Sequence, residues 1–190
     1  MLKIKVILGS IREGRFGDKP AKWIFEKAKV KEGLDVELLD LKDYPLPVFA
    51  EAQFPAAAVN GNYPNDVAKK WAAKIGEADG FIFVAAEYNH GYTPSLKNAI
   101  DYIYAEWVNK PAAFVGYGAN GGVRSVEQLK QVVNSDLQMY PVPKTVNMNS
   151  PWTLVNAEGV FDTSSFEKVG DTMLDQLVWL GEALKAARAK

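Results

Sequence analysis

The sequence predicts an α/β fold in which a parallel sheet carries helices on both faces. Three observations predict it. Short aliphatic and β-branched runs alternate with longer stretches whose apolar residues recur at i, i+3, i+4 and i+7. The runs are apolar almost throughout, as strands covered on both sides must be. Glycines and other turn formers stand where the runs end. A chain of 190 residues can bury roughly 70% of the surface its unfolded form exposes, so one domain over residues 1–190 with its own core is expected.

Leu2 to Leu8 is the first strand, ending at Gly9 and Ser10. Because Lys3 and Lys5 interrupt it, it reads as a strand and not as a secretion signal. Ala21, Ile24, Phe25 and Ala28 then form one helical stripe with Lys22, Glu26, Lys27 and Lys29 opposite, and Gly33 sits in the turn beyond. Val36, Leu38, Leu39 and Leu41 make a second strand. Val67, Ala68, Trp71, Ala72 and Ile75 make a second stripe, and residues 80–86, GFIFVAA, a third strand. Thr93 followed by Pro94 marks a helix start, since the hydroxyl can cap free N–H groups and proline lacks one. That helix carries Leu96, Ala99, Ile100 and Ile103. Ala112 to Tyr117 is strand four, Val126, Leu129, Val133 and Leu137 the next stripe, and Val142 to Met148 strand five. Ser164 and Glu167 have capping-box spacing ahead of a last helix with Val169, Met173, Leu177, Leu180 and Leu184. Right-handed βαβ crossovers then give a flavodoxin-like three-layer sandwich, five parallel strands in the order 2-1-3-4-5.

Residues 42–64 break the short-loop pattern: they are rich in proline and aromatics and have no periodicity. Tyr44, Leu46, Val48, Phe49, Phe54 and Tyr63 are too apolar for a solvated linker. Burial against a cofactor or a second subunit is expected, with packing onto the chain's own sheet as the competing reading.

Composition narrows the function. There are 22 Lys and Arg against 23 Asp and Glu, so no basic footprint for nucleic acid or an anionic membrane exists. No stretch is apolar enough to span a bilayer. The absence of cysteine removes disulfides, thiolate metal sites and a cysteine nucleophile, and favours a reducing, cytoplasmic setting. His90 is the single histidine, so a zinc site is not expected. What remains is small-molecule chemistry.

Ligands of such sheets bind outside the C-terminal strand ends. Three segments lie there. The first, GSIREGRFG at 9–17, supplies curling glycines, the Ser10 hydroxyl and the Arg12 and Arg15 cations just before a helix, which suits a phosphate. It is no Walker loop, because Arg15 and Phe16 stand where that motif needs Lys-Ser/Thr. The second, EYNHGYTP at 87–94, offers Tyr88 and Asn89 as a flat wall and polar edge for a planar ring. In the third, GYGANGG at 116–122, glycine N–H groups can approach a ring carbonyl and stabilise charge there. Gly116, Gly118 and Gly121 formally spell G-x-G-x-x-G, the dinucleotide fingerprint. That fingerprint belongs in the first βα turn with an acidic residue ending the next strand, whereas this one follows strand four and Asp136 falls inside a helix pattern.

With these three loops, GSIREGRFG, EYNHGYTPSLKNAIDY and GANGG, the chain from Lys3 to about Val146 resembles the NADPH-dependent FMN reductase family, the flavodoxin-like quinone, azo and chromate reductases. The resemblance implies that Ser10, Arg12, Phe16 and Gly17 surround the FMN phosphate. It places Glu87, Tyr88 and Asn89 along the isoalloxazine ring, with Gly118, Asn120, Gly121 and Gly122 closing its other side. Phe16 acts mainly through its backbone in that scheme. The family often has Ser at Arg15, Asn at Gly17 and Pro at Ala86, so two phosphate-side donors differ here. Tyr44 to Pro47 looks like the segment that helps roof a neighbouring site in family dimers, which implies a homodimer or a dimer of dimers.

The implied reaction is ping-pong: NADPH or NADH reduces FMN, then a quinone, azo compound, metal oxyanion or free flavin takes the electrons. The cofactor supplies that chemistry, so no catalytic side chain is assigned, although Tyr88 and Arg124 are placed to contact the nicotinamide or acceptor. The alternatives are a non-enzymatic electron carrier, against which the near-neutral charge argues, and a regulatory module that binds FMN without turnover.

Overall fold

The computed structural model describes residues 1–58 and 61–189. Six strands, β1 (Leu2–Leu8), β2 (Leu34–Asp40), β3 (Gly80–Ala86), β4 (Pro111–Gly118), β5 (Tyr140–Pro141) and β6 (Val146–Asn149), form one sheet. Five helices connect or flank them: α1 (Asp18–Lys29), α2 (Asp66–Gly76), α3 (Pro94–Asp101), α4 (Val123–Gln131) and α5 (Glu167–Arg188). All strand pairs are parallel, in the order β2-β1-β3-β4, with β5 and β6 both against β4.

This is the flavodoxin-like arrangement, and its two apolar layers explain it. On one face Ile7, Phe81, Phe83 and Phe114 pack under α2, α3 and α4. On the other, Ile4, Val6, Ile82 and Val115 pack under α1 and α5. Every residue of β3 is buried, which is why its seven positions are apolar without alternation. Trp107, with no exposure, packs 4.9 Å from Phe81 and 6.1 Å from Trp71. Ala99, Tyr102, Ile103 and Trp107 are therefore spent within the chain's own core.

The structure corrects the sequence reading in three places. The fifth strand is two pieces: β5 pairs with the start of β4 and β6 with its end. Val142 N still donates to Ala112 O at 2.8 Å, but Pro143 supplies no ladder N–H, and pairing with β4 resumes only at Val146. The capping box before α5 does not form. Instead Glu167 accepts from Thr163 Oγ1 at 2.9 Å and from Trp23 Nε1 at 2.7 Å, tying α5 to α1.

Third, the 42–64 segment is mostly absorbed by its own sheet face; Val59 and Asn60 lie outside the described residues. Tyr44 packs edge-on to Trp71 at 4.9 Å and Phe49 to Tyr102 at 5.1 Å. Asn98 accepts from Phe49 N at 2.9 Å and donates to Pro47 O at 2.7 Å. The buried Tyr63 hydroxyl donates to Glu106 at 2.6 Å and accepts from Tyr104 N at 3.0 Å. Val48 and Phe54 are the apolar exceptions, 87% and 75% exposed.

Candidate active site

The ends of β1, β3 and β4 open onto one pocket of about 250 Å³. Its wall joins Ser10, Arg12, Arg15 and Phe16 to Glu87, Tyr88 and Gly118. Asn89, Asn120, Gly121 and Gly122 lie in the loops behind that wall, and Gly17 is buried at the start of α1. The pocket also takes in Tyr117 and Trp152, which the sequence reading did not single out as site residues. Tyr117 looked like one more strand residue; the available signal for Trp152 was an aromatic placed directly after Pro151, just beyond a strand.

The first loop is held from beneath. Gly9 O accepts from Thr93 Oγ1 at 2.5 Å and Ser95 Oγ at 2.6 Å, while Thr93 also caps α3 through Leu96 N. Arg15 closes the loop from the side. Its Nε donates to Asp18 at 3.0 Å, Nη1 donates to Ser10 O at 2.6 Å and to Asp40 at 2.7 Å, and Nη2 donates to Asp18 at 2.7 Å and to Asp40. All five guanidinium donors are thereby engaged. Burial pushes the Asp40 carboxyl up, but the Arg15 hydrogen bonds and the Lys42 N–H outweigh it and hold Asp40 below its ordinary value. Arg12, by contrast, is an exposed cation on the pocket wall. Gly17 precedes α1 with no side-chain cap, so the positive end of the helix dipole faces this region uncovered.

The second loop is a tight hairpin. Tyr88 N donates to Gly91 O at 2.8 Å and Gly91 N to Tyr88 O at 3.1 Å. Between them Asn89 and His90 both adopt positive φ, 47° and 77°, the pattern of a type I′ turn in which Asn is favoured. His90 is thus a turn residue, its carbonyl accepting from Gln128 at 3.0 Å. Tyr88 stays 36% exposed, its hydroxyl 3.0 Å from Ser10 Oγ.

The third loop is fastened to the second by charge. Glu87 Oε1 pairs with Arg124 Nη1 at 2.7 Å, and Glu87 Oε2 accepts from Arg124 N at 3.2 Å in the first turn of α4. With its amide turned so that the oxygen faces the cation, Asn120 accepts from Arg124 Nη1 and Nη2 at 3.2 and 3.1 Å. Gly122 has φ 67°, and a Cβ there would lie 2.3 Å from Tyr117 N. Ser150 N donates to Gly118 O at 2.8 Å, which carries the Pro151–Leu154 turn and the half-exposed Trp152 to the rim.

A cation, a hydroxyl pair and an open helix start at one end, with a tyrosine face and glycine-rich backbone at the other, suit an anion linked to a planar ring. A larger cavity of about 370 Å³ lies between the 49–56 segment and Ile100, Ile103 and Leu137. Its walls are mainly apolar, and it has no comparable convergence of donors. Among the described residues no group of three or more His, Asp or Glu could hold a metal, and no helix is long and apolar enough to cross a membrane.

Comparisons with known proteins bear on the family and the fold. The family profile described as NADPH-dependent FMN reductase matches residues 2–153. An NAD(P)H-dependent FMN reductase of Schizosaccharomyces pombe is 39% identical over 160 residues, covering 84% of this chain and 78% of the relative. An NADPH:quinone oxidoreductase of Arabidopsis thaliana is 31% identical over 182 residues, covering 92% and 89%. Among solved structures, the flavoenzyme NAD(P)H:(acceptor) oxidoreductase FerB of Paracoccus denitrificans superposes with a TM-score of 0.71 at 23% identity, covering 96% of this chain and 98% of that one.

Proposed function

The chain belongs to the NADPH-dependent FMN reductase family, an oxidoreductase family that uses FMN and NAD(P)H, and from that premise we propose that the strand-end pocket is its FMN site. The observation that carries this is the convergence of Ser10, Arg12 and the open start of α1 at one end of a cavity whose other end is Tyr88, Glu87 and Gly118. The donor set fits the group. An exposed cation and the backbone N–H groups of Gly17 and Asp18 answer a phosphate dianion, Lys19 N being taken by Phe16 O and Pro20 having none, and backbone around Gly118 can meet the polar edge of a flat ring.

In this reading Arg12 and Ser10 hold the phosphate, and Arg15, with its donors already engaged, keeps the loop in shape. Glu87 and Asn120 act through Arg124, holding the second and third loops at a fixed separation. Tyr88 and Trp152 border the open side and exclude water from it. FMN, when bound, supplies the hydride-accepting and electron-donating chemistry. Donor and acceptor use the same open side in turn, a ping-pong order. Relatives named as quinone and FMN reductases support a quinone or free flavin as acceptor, with azo compounds and metal oxyanions accommodated by the same open rim.

The chain works as one domain in this proposal, since a single sheet carries both core layers. Exposed Val48 and Phe54 support a homodimer or dimer of dimers, and the lack of cysteine supports a cytoplasmic setting. The test is a visible spectrum of the purified, FMN-reconstituted protein before and after anaerobic NADPH. Bleaching of the flavin band, reversed by a soluble quinone, is expected; a spectrum unchanged by NADPH overturns the reading.

A further inference from the structure

Gly17 does not need to be glycine for its backbone: φ −53° and ψ −25° are ordinary right-handed values. Space is what excludes a side chain. A Cβ at this position would fall 2.5 Å from Tyr117 Oη, 3.3 Å from Tyr117 Cζ and 2.8 Å from Leu8 Cδ1. The phenol hydroxyl therefore occupies the volume that a side chain at position 17 would take, immediately beside the uncapped start of α1.

Tyr117 reaches this point from the end of β4, crossing beneath β3 to the helix on the far side of the pocket. Its ring packs 6.2 Å from Phe16, and the residue is only 6% exposed, yet it lines the strand-end pocket. Burial pushes its phenol above the ordinary value, with Tyr88 adding to the effect and Ser10 and Arg15 opposing it, so the hydroxyl keeps its proton and stays a donor. Arg15, the second cation at this end, has its donors committed to Asp18, Asp40 and Ser10 O. A ligand anion here thus finds Arg12 as cation and the hydroxyls of Ser10 and Tyr117 as neutral donors.

We propose that Tyr117 is a phosphate-binding residue of the flavin nucleotide site, its hydroxyl donating to the phosphate, and that position 17 is glycine to admit that hydroxyl. The inference rests on the strand-end pocket being the FMN site. It assigns the hydroxyl to the phosphate and not to the ring because the oxygen lies against Gly17, at the cradle end, whereas Glu87 and Gly118 lie at the other.

Fluorescence titration of the apoprotein with FMN and with riboflavin, which lacks the phosphate, tests it. Tyr117→Phe keeps the ring and its packing while removing one charge-assisted hydrogen bond, so FMN binding should weaken about tenfold with riboflavin binding unchanged. Gly17→Ala should weaken FMN binding further, and adding Tyr117→Phe to it should restore part of the loss, because the missing oxygen vacates the space of the new Cβ. Equal FMN affinity for wild type and Tyr117→Phe overturns the proposal, as does a parallel loss for FMN and riboflavin. A double variant no better than Gly17→Ala overturns the role given to Gly17. Thermal melts of the apoproteins show that each variant is folded. A wild-type chain that binds neither flavin sinks the FMN reading itself, which is a separate outcome.

Discussion

Arg15 and Asp40 form a two-pronged ion pair that joins the loop after β1 to the last residue of β2. Asp40 also accepts from Lys42 N at 2.9 Å, so one carboxylate fixes both the loop after β1 and the start of the 42–64 segment. The Arg15 side chain is 6% exposed and that of Asp40 26%. Water screens such a pair less than a surface one, and the fork geometry sets direction as well as energy.

Asp40→Asn should lower stability by about 1–2 kcal/mol at neutral pH. The folded carboxyl titrates below its unfolded value, so the unfolded chain binds more protons in that window and stability rises with pH through it. The stabilisation is complete above about pH 5 and disappears as pH falls through the depressed folded value. Urea midpoints of wild type and variant should differ by a constant amount from neutral pH down to about pH 5 and converge below it. A difference that persists undiminished in acid contradicts the assignment.

The Glu87 side chain is 8% exposed and that of Arg124 42%, and this asymmetry makes a prediction. Arg124→Ala leaves a nearly buried carboxylate without its cation, whereas Glu87→Gln leaves a cation that water can reach. The first should cost about 2 kcal/mol and the second about 1 kcal/mol, measured by chemical denaturation. Both should weaken FMN binding, since both free the second loop from the third.

Glycines at positive φ separate into two kinds. At Gly122, φ 67°, a Cβ would meet backbone at 2.3, 2.7 and 2.9 Å. Neither neighbour is a side chain that can swing away, so Gly122→Ala should cost more than about 3 kcal/mol and lower the yield of folded protein. At Gly14, φ 60°, nothing lies within 4 Å, and Gly14→Ala should cost only the conformational strain of about 1 kcal/mol. Thermal melts of the two variants side by side would expose equal costs.

Lys110 donates to Ile75 O at 3.1 Å at the end of α2 and sits over the Phe81 ring. Burial, with Arg188 adding to it, pushes this lysine down to about 8, against about 10.4 in an unfolded chain. The unfolded chain therefore holds more protons between those values, and wild-type stability should rise with pH across about pH 8 to 10. In Lys110→Met this contribution to the rise is gone. Parallel pH-stability curves for the two proteins would contradict it.

The sheet was legible in the sequence because burial on two faces leaves β3 and β4 no freedom to be polar. The same constraint wrote the helix stripes, as at Ala21, Ile24 and Ala28. The three strand-end loops were legible for a different reason: positive φ and close backbone approach favour Gly and Asn, as at Asn89 and Gly122, although His90 also takes a positive φ. The capping box failed because Ser164 and Glu167 satisfy a local rule that α1 overrides, Trp23 and Lys27 offering Glu167 stronger partners. The split of the fifth strand was visible only in its prolines.

Local pattern by itself determined the alternation of strands and helices and the loop motifs that mark the family, and the crossover rule then turned that alternation into a parallel sheet. Only tertiary structure decided which groups face the strand-end pocket. Arg15 and Arg12 look equivalent in sequence, but the guanidinium of Arg15 is taken up by Asp18 and Asp40, the latter 25 residues away. Gly17 looks like a turn residue, but a tyrosine 100 positions later fills its side-chain space. Contacts between distant residues follow from how the layers close over one another, and no spacing in the chain encodes them.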